Sequence, residues 1–273
     1  MPEGPEAHTT ARKLSQRLPG LALVGVEILP KSKHVNMDKI PLPCVVKSVT
    51  AHGKRPIIVT DQGWISVFLA MTGSLTWEKG THPRIIFTFQ KFRQVGPLVI
   101  TEGDPIYMYF NDIRPFGRVE YLATWDELNH HFSGFGHDLI TSPIDLTTFR
   151  SVVKEAPSTW EICKFLLEPK YICSVGNYLK AEILYFSRIR PDRTLGTLTD
   201  EEISRLHHIT HAVLSLSLQH GGLTISDFKH PDGGQGTYPR VVYMMDLDPL
   251  DNRVITGTFS DGRTTYWVPN VQQ

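Results

Sequence analysis

Apolar residues first fall at helical spacing over 5–18, where Ala7, Ala11, Leu14 and Leu18 line one stripe and Pro19-Gly20 closes it. The period then shortens. Segments 22–29, 45–50, 56–60, 64–69, 84–90, 98–101, 105–111 and 118–122 are short and rich in Val, Ile, Phe and Tyr. Turn signals such as Asp61-Gln62-Gly63 and Glu102-Gly103-Asp104 separate them. Strands so closely spaced predict a β-sandwich or barrel. From Thr124 the spacing becomes helical again, over 125–132, 146–155, 158–168, 175–189 and 199–220. Capping boxes are expected at Ser158…Glu161 and Thr199…Glu202. A Gly-, Pro- and Asp-rich segment, 221–239, reads as a flexible loop, and 241–245, 253–259 and 264–268 read as strands of a small terminal hairpin. The expected class is α+β, with no internal repeat: a leading helix, an N-terminal β-sandwich, an α-helical domain and a β-hairpin. Domains are expected at 1–123, 124–220 and 221–273.

Composition adds bounds rather than an activity. The 273 residues are 41% hydrophobic, enough for real cores, and the length suits two domains. No run approaches the ~18 apolar residues of a membrane-spanning helix, and the acidic, proline-containing start is unlike a signal peptide. Cys44, Cys163 and Cys173 are far apart and form no Cys-x-x-Cys pair, which suits a reducing compartment and argues against a disulfide framework or a cysteine zinc site. An intracellular protein is expected. Lys and Arg balance Asp and Glu at 28 each, but residues 1–120 hold 15 against 10. That bias is compatible with phosphate binding and does not by itself select a partner.

The first six residues, Met1-Pro2-Glu3-Gly4-Pro5-Glu6, carry the most pointed chemistry. Removal of the initiator methionine would expose a prolyl amine, and an α-amino group has a reference pKa near ~8, far below that of lysine. Its neutral fraction is nucleophilic at neutral pH, and attack on a sugar C1′ gives a covalent intermediate. Because proline is a secondary amine, that intermediate is an iminium, an electron sink for later eliminations. Glu3 and Glu6 stand close enough to serve as acid or base. The same residues also suit an ordinary helix start, with Pro in the first turn and acids at the positive end of the dipole. A tautomerase-type N-terminal proline is a third reading.

Two further stretches are unusually polar and glycine-containing. Ser174-Val175-Gly176-Asn177-Tyr178 opens a helix whose N-terminal N–H groups and asparagine amide suit either a phosphate or simple capping. Ser260-Asp261-Gly262-Arg263-Thr264-Thr265 reads as a hairpin turn with Arg263 just beyond it, placed either to grip a phosphate or to lie in solvent. His207 and His211 share i, i+4 spacing on one predicted helix. No His-Glu-x-x-His pattern accompanies them, so a solvated helix face is expected rather than a metal site.

Taken together and in order, Met-Pro-Glu-Gly-Pro-Glu, Ser174-Val175-Gly176-Asn177 and Asp261-Gly262-Arg263-Thr264-Thr265 make the chain resemble the formamidopyrimidine-DNA glycosylase / endonuclease VIII family from end to end. The resemblance implies an N-terminal β-sandwich, a helix-two-turn-helix domain and a finger hairpin. It implies a bifunctional DNA glycosylase/AP lyase that excises oxidised bases and cleaves the backbone by β,δ-elimination. The partner would be double-stranded DNA carrying an oxidised base or an abasic site, bent in a cleft between the two domains. A monomer with access to DNA, in nucleus or nucleoid, with no cofactor and no membrane role, completes the expectation. Residue by residue, Pro2 matches the Schiff-base nucleophile, Glu3 the carboxylate assisting base loss and ring opening, and Glu6 a supporting carboxylate. Lys54, in His52-Gly53-Lys54, matches a lysine contacting phosphate near the lesion. Asn177 and Arg263 match the residues that hold the backbone around the flipped nucleotide. Met71, Arg114 and Phe116 match three residues that fill the void left by the extruded base. Physics favours such a set, because unstacking costs a few kcal/mol and an apolar wedge with a hydrogen-bond donor offsets part of it. Without the resemblance, Met71 and Phe116 would read as core.

Two departures matter. No cysteine follows Cys173, and valines stand where zinc-finger members carry their last cysteine pair, so the hairpin is expected to be a zincless finger held by side-chain packing. Ser174 replaces the first glycine of the usual Gly-x-Gly-Asn turn. Substrate features are mixed. The start and Asn177-Tyr178-Leu179 resemble the endonuclease VIII branch, whereas 221–228, Asp232-Gly233-Gly234 and the presence of both Arg114 and Phe116 resemble the formamidopyrimidine branch. A non-catalytic DNA-damage binder on the same scaffold is the rival; it has no need for Pro2 or Glu3.

Overall fold

The computed structural model describes all 273 residues, which separate into two compact units, Met1–Ser133 with Thr224–Gly236, and Gly134–Leu223 with Thr237–Gln273. The expected boundaries shift accordingly. Segment 125–132 stays with the first unit, and the loop expected to be flexible is shared between the two. Its stretch 224–236 folds onto the first unit, because Phe228 is 1% exposed within the sheet core and Asp232 pairs with Lys13 of the leading helix at 2.5 Å.

In the first unit, α1 (Gly4–Ser15) is followed by β1 (Ala22–Ile28), β2 (His34–Val35), β3 (Cys44–His52), β4 (Arg55–Thr60), β5 (Gly63–Phe68), β6 (Gly73–Thr76), β7 (Pro83–Val95), β8 (Leu98–Asp112), β9 (Arg118–Leu122) and α2 (Trp125–Phe132). The strands pair in the order β2-β9-β5-β4-β3-β1-β7-β8-β6. The link between β1 and β3 is only Ala22↔Val45 and Leu23↔Cys44. On either side of it, Ile58, Ile65, Val67 and Val119 from one half share a buried cluster with Phe87, Phe89, Met108 and Phe110 from the other. This is the β-sandwich core. Leu14 and Leu18 join it from the apolar stripe of the leading segment.

Two strand readings change. Glu102-Gly103-Asp104 is no turn: β8 runs straight through it as a bulge, with the register slipping from Phe89↔Ile106 to Lys91↔Glu102. Gly103 takes φ +78°, and the Gln90 side chain donates to its carbonyl at 3.0 Å. A glycine signals positive φ equally well in a bulge and in a turn, which is why the two look alike in sequence. The sequence pattern does not mark β6. It has four residues, two of them Ser and Thr, and pairs at the sheet edge with β8.

Ser66 Oγ lies 3.1 Å from His131 Nε2, and His131 Nδ1 lies 3.5 Å from Glu120 Oε2, the order of a serine-hydrolase triad. Ser66 is fully buried in β5, so no substrate reaches it. The cluster instead ties α2 to the sheet, and Glu120 also holds Arg55 at 3.2 Å and Arg118 at 2.8 Å.

The second unit contains α3 (Leu146–Glu155), α4 (Ile162–Leu167), α5 (Asn177–Ser187), α6 (Asp200–Gln219) and the hairpin β10 (Ile255–Thr258)–β11 (Thr264–Trp267). Segment 241–245 forms turns rather than a strand, since the N–H groups of Val241, Val242 and Tyr243 go to the Glu182 side chain and that of Met245 to the Val242 carbonyl. The capping box at Thr199 and Glu202 forms. The one expected at Ser158 does not, because α4 begins only at Ile162 and the Glu161 carboxylate accepts Ser260 N–H at 2.8 Å. Thr199→Ala is expected to cost about 1 kcal/mol, read as a lower midpoint in urea unfolding. His207 and His211 are half-buried rather than solvated. His207 packs on Phe149 and its Nε2 lies 2.8 Å from the Ile144 carbonyl. No helix is long and apolar enough to cross a membrane.

Candidate active site and nucleic-acid interface

The chain enters α1 with Pro2, Glu3 and Glu6 all buried. Glu3 is extended and stands at the N-cap, and Ala7 N–H closes the first turn on its carbonyl at 3.1 Å. The buried Glu6 carboxylate accepts Glu3 N–H at 2.8 Å. Pro5 fits the first turn because no partner is needed for its missing N–H, and Glu6 complements the positive end of the helix. Glu6 thus fixes the backbone one residue after Pro2. The sequence order alone does not separate that role from proton transfer.

Lys54 sits half-exposed in a two-residue turn between β3 and β4, beside Gly53 at φ +58°. Both flanks are anchored. The His52 ring packs edge-on against Phe132 at 5.0 Å, and Arg55 is held by Glu120.

Met71 and Phe116 are 39% and 53% exposed, and Arg114 is exposed too, so none of the three serves the core. They lie on two loops joined by residues that the motifs do not single out. Asp112, 1% exposed, accepts from Thr72 Oγ1 at 2.5 Å through one carboxylate oxygen and from Gly117 N–H at 2.7 Å through the other. Thr72 Oγ1 in turn accepts Arg114 N–H at 2.9 Å, and buried Arg84 donates to the Asp112 carbonyl at 2.9 Å. Gly117 is required by space: a Cβ there would stand 2.6 Å from Phe110 Cζ and 2.9 Å from the Phe68 carbonyl. Lys33 Nζ lies 5.2 Å from the Phe116 ring centroid.

In the second unit Asn177 is the first residue of α5, after the N-cap Gly176. Its Nδ2 donates to the Thr264 carbonyl at 3.0 Å, so the amide bridges the helix to the hairpin. The departure at Ser174 has a use: its hydroxyl donates to Asp138 at 2.5 Å, and both residues are buried. Arg263 is exposed and its guanidinium makes no ion pair in the chain. The hairpin rests on more than packing. Val242, Val254 and Val268 cluster with Ala181 and Tyr185. Beside them the buried Glu182 carboxylate accepts N–H groups from Val241, Val242 and Tyr243 at 2.9–3.1 Å. Burial raises the Glu182 pKa, against the pull of those three donors. Asp248 likewise accepts from Tyr185 Oη, Leu250 N and Asn252 N at 2.8–3.0 Å. Burial pushes the Cys44 thiol up to about 11 and Cys163 to about 12, so neither is a thiolate at neutral pH.

Residues 1–119 match the profile of the formamidopyrimidine-DNA glycosylase N-terminal domain, and residues 135–229 match that of the formamidopyrimidine-DNA glycosylase H2TH domain. The chain belongs to the formamidopyrimidine-DNA glycosylase / endonuclease VIII family. It is 29% identical to a formamidopyrimidine-DNA glycosylase of Pelotomaculum thermopropionicum, over all of this chain and 99% of that one. The MutM (Fpg) protein from Thermus thermophilus superposes with a TM-score of 0.84 at 25% identity, covering 99% of this chain and 98% of that one. The Lactococcus lactis Fpg, solved with DNA containing an abasic site, shares the fold at a TM-score of 0.83 and 22% identity over 99% of both chains. The profile matches end before the terminal hairpin.

Proposed function

We propose that this chain is a bifunctional DNA glycosylase/AP lyase of base excision repair, acting on double-stranded DNA with an oxidised base or an abasic site. The observation that carries the reading is the start of α1, where Pro2 immediately precedes two buried carboxyl groups, one of which fixes the local backbone. With Met1 removed, the Pro2 nitrogen attacks C1′ and the base departs with a proton supplied by Glu3. Opening of the sugar at C1′–O4′ leaves an iminium between Pro2 and C1′. Loss of a C2′ proton then expels the 3′ phosphate, and a second elimination expels the 5′ phosphate, the iminium accepting electrons in each case. Lys54, Asn177 and Arg263 hold phosphates, which supplies affinity without sequence preference. Met71, Arg114 and Phe116, exposed on tied loops, occupy the space of the extruded base. The protein works as a monomer with access to DNA.

The test is borohydride trapping on a duplex with an abasic site, using protein verified by mass to begin at Pro2. The expected result is a covalent complex that disappears in Pro2→Gly and in protein whose N-terminal amine is blocked. If protein that binds the duplex gives no complex, the chain is a damage binder and not a lyase. Duplexes with one oxidised pyrimidine or one 8-oxoguanine then assign the branch.

A further inference from the structure

The second unit contains an ion pair that the reaction above does not use. Lys180 is 0% exposed and the Asp261 side chain 1%, and the Lys180 ammonium donates to Asp261 Oδ2. The same ammonium donates to Thr265 Oγ1 at 2.7 Å. Charges buried this completely are a poor source of stability, since desolvation consumes most of their attraction. What the pair holds is more informative. The second carboxylate oxygen of Asp261 accepts the backbone N–H of Arg263 at 3.1 Å. Between them lies Gly262 at φ +66°, a turn conformation that opens easily unless both ends are tied. Lys180 stands one helical turn after Asn177, whose amide grips Thr264. The start of α5 therefore touches the turn at residues 261, 264 and 265, on both sides of Arg263. Cys163 lies beside the pair; burial, reinforced by the charge of Asp261, raises its thiol to about 12, so it stays neutral and does not compete for the ammonium.

We propose that Lys180 is a positioning residue for DNA-phosphate binding, acting through Asp261 to fix the backbone from which Arg263 projects. A metal ties a finger hairpin by bonding to both of its strands. Here one ammonium from the neighbouring helix ties the turn, at Asp261, to the start of β11, at Thr265. The inference rests on the phosphate role of Arg263 given above, and it makes Asn177 and Arg263 a preassembled grip. Lys180 itself touches neither phosphate nor reacting atoms, so its loss weakens binding and spares the chemical step.

The experiment compares wild type, Arg263→Ala, Lys180→Met, the neutral pair Lys180→Met/Asp261→Asn, and Arg263→Ala added to that pair. The full chain is titrated against a duplex bearing a tetrahydrofuran abasic analogue at several salt concentrations, and elimination on an abasic duplex is followed at saturation. Lys180→Met leaves a buried carboxylate alone and is expected to lower Tm, so the neutral pair is the deciding variant. It is expected to fold, to bind about 10-fold more weakly, and to lose about one phosphate from the salt slope, as Arg263→Ala does. Adding Arg263→Ala to it changes Kd little further, and the saturated elimination rate of the neutral pair itself stays within about twofold of wild type. A wild-type Kd and slope for the neutral pair, or a full additional loss on removing Arg263, overturns the proposal while leaving the phosphate role of Arg263 standing. No effect of Arg263→Ala alone overturns that role and this proposal with it.

Discussion

Glu6→Ala is expected to slow borohydride trapping about 100-fold, whereas Glu6→Gln retains most of the wild-type rate. The difference follows from what Glu6 does in the structure. Its buried carboxylate accepts the Glu3 N–H and so sets where the chain turns from Pro2 into α1. Glutamine keeps an acceptor oxygen at the same reach. Alanine leaves the Glu3 N–H unsatisfied in a buried place, at a cost of about 1–3 kcal/mol, and frees the nucleophile to wander. A misplacement of ~1 Å at a reacting atom is enough for a loss of this size. Trapping rates on an abasic duplex, measured beside thermal unfolding, make the check. If Gln and Ala lose activity equally while stability holds, Glu6 transfers protons and the positioning account is wrong.

Asp112→Ala is expected to destabilise the first unit by about 3 kcal/mol, because Gly117 N–H and Thr72 Oγ1 lose their buried charged acceptor together. For a unit of this size that corresponds to a Tm lower by ~6–12 °C. The functional effect is selective. With the two loops untied, Met71, Arg114 and Phe116 no longer hold a common arrangement. On the role proposed for them in base extrusion, excision of a stacked oxidised base should therefore fall by ~10-fold or more. Elimination at a preformed abasic site has no base to extrude and should fall much less. Equal losses on the two substrates, measured below the unfolding transition, would mean that the loops serve binding in general. Asp112→Asn is the milder companion, since it keeps one acceptor oxygen and should lose less on both measures.

Much of this is legible in the chain. The 3.6-residue stripe of Ala7, Ala11 and Leu14 and the capping box at Thr199 are local signals, and local signals carry to the structure with small shifts in their ends. The family is legible because three short motifs stand in order across the whole length. What escapes is non-local. Asp112 and Thr72 are single polar residues 40 positions apart, and no spacing rule links them until β6 pairs with β8. The return of 224–236 to the sheet depends on Phe228 joining the sheet core and Asp232 pairing with Lys13, contacts that a Gly- and Asp-rich composition conceals. Lys180 looks in sequence like one more solvated charge on a helix, and only its zero exposure shows otherwise. Each site residue marked by chemistry alone comes with neighbours that chemistry alone does not mark.

The fastening of the terminal hairpin has a consequence for when such a protein can work. Oxidants that damage bases also attack metal-bound thiolates, so a finger built on them can fail under the stress that creates its substrates. Here the hairpin is closed by an amine, carboxylates and valines, and the chain's three thiols are buried. A peroxide burst finds no thiolate in the hairpin to oxidise, since no cysteine follows Cys173.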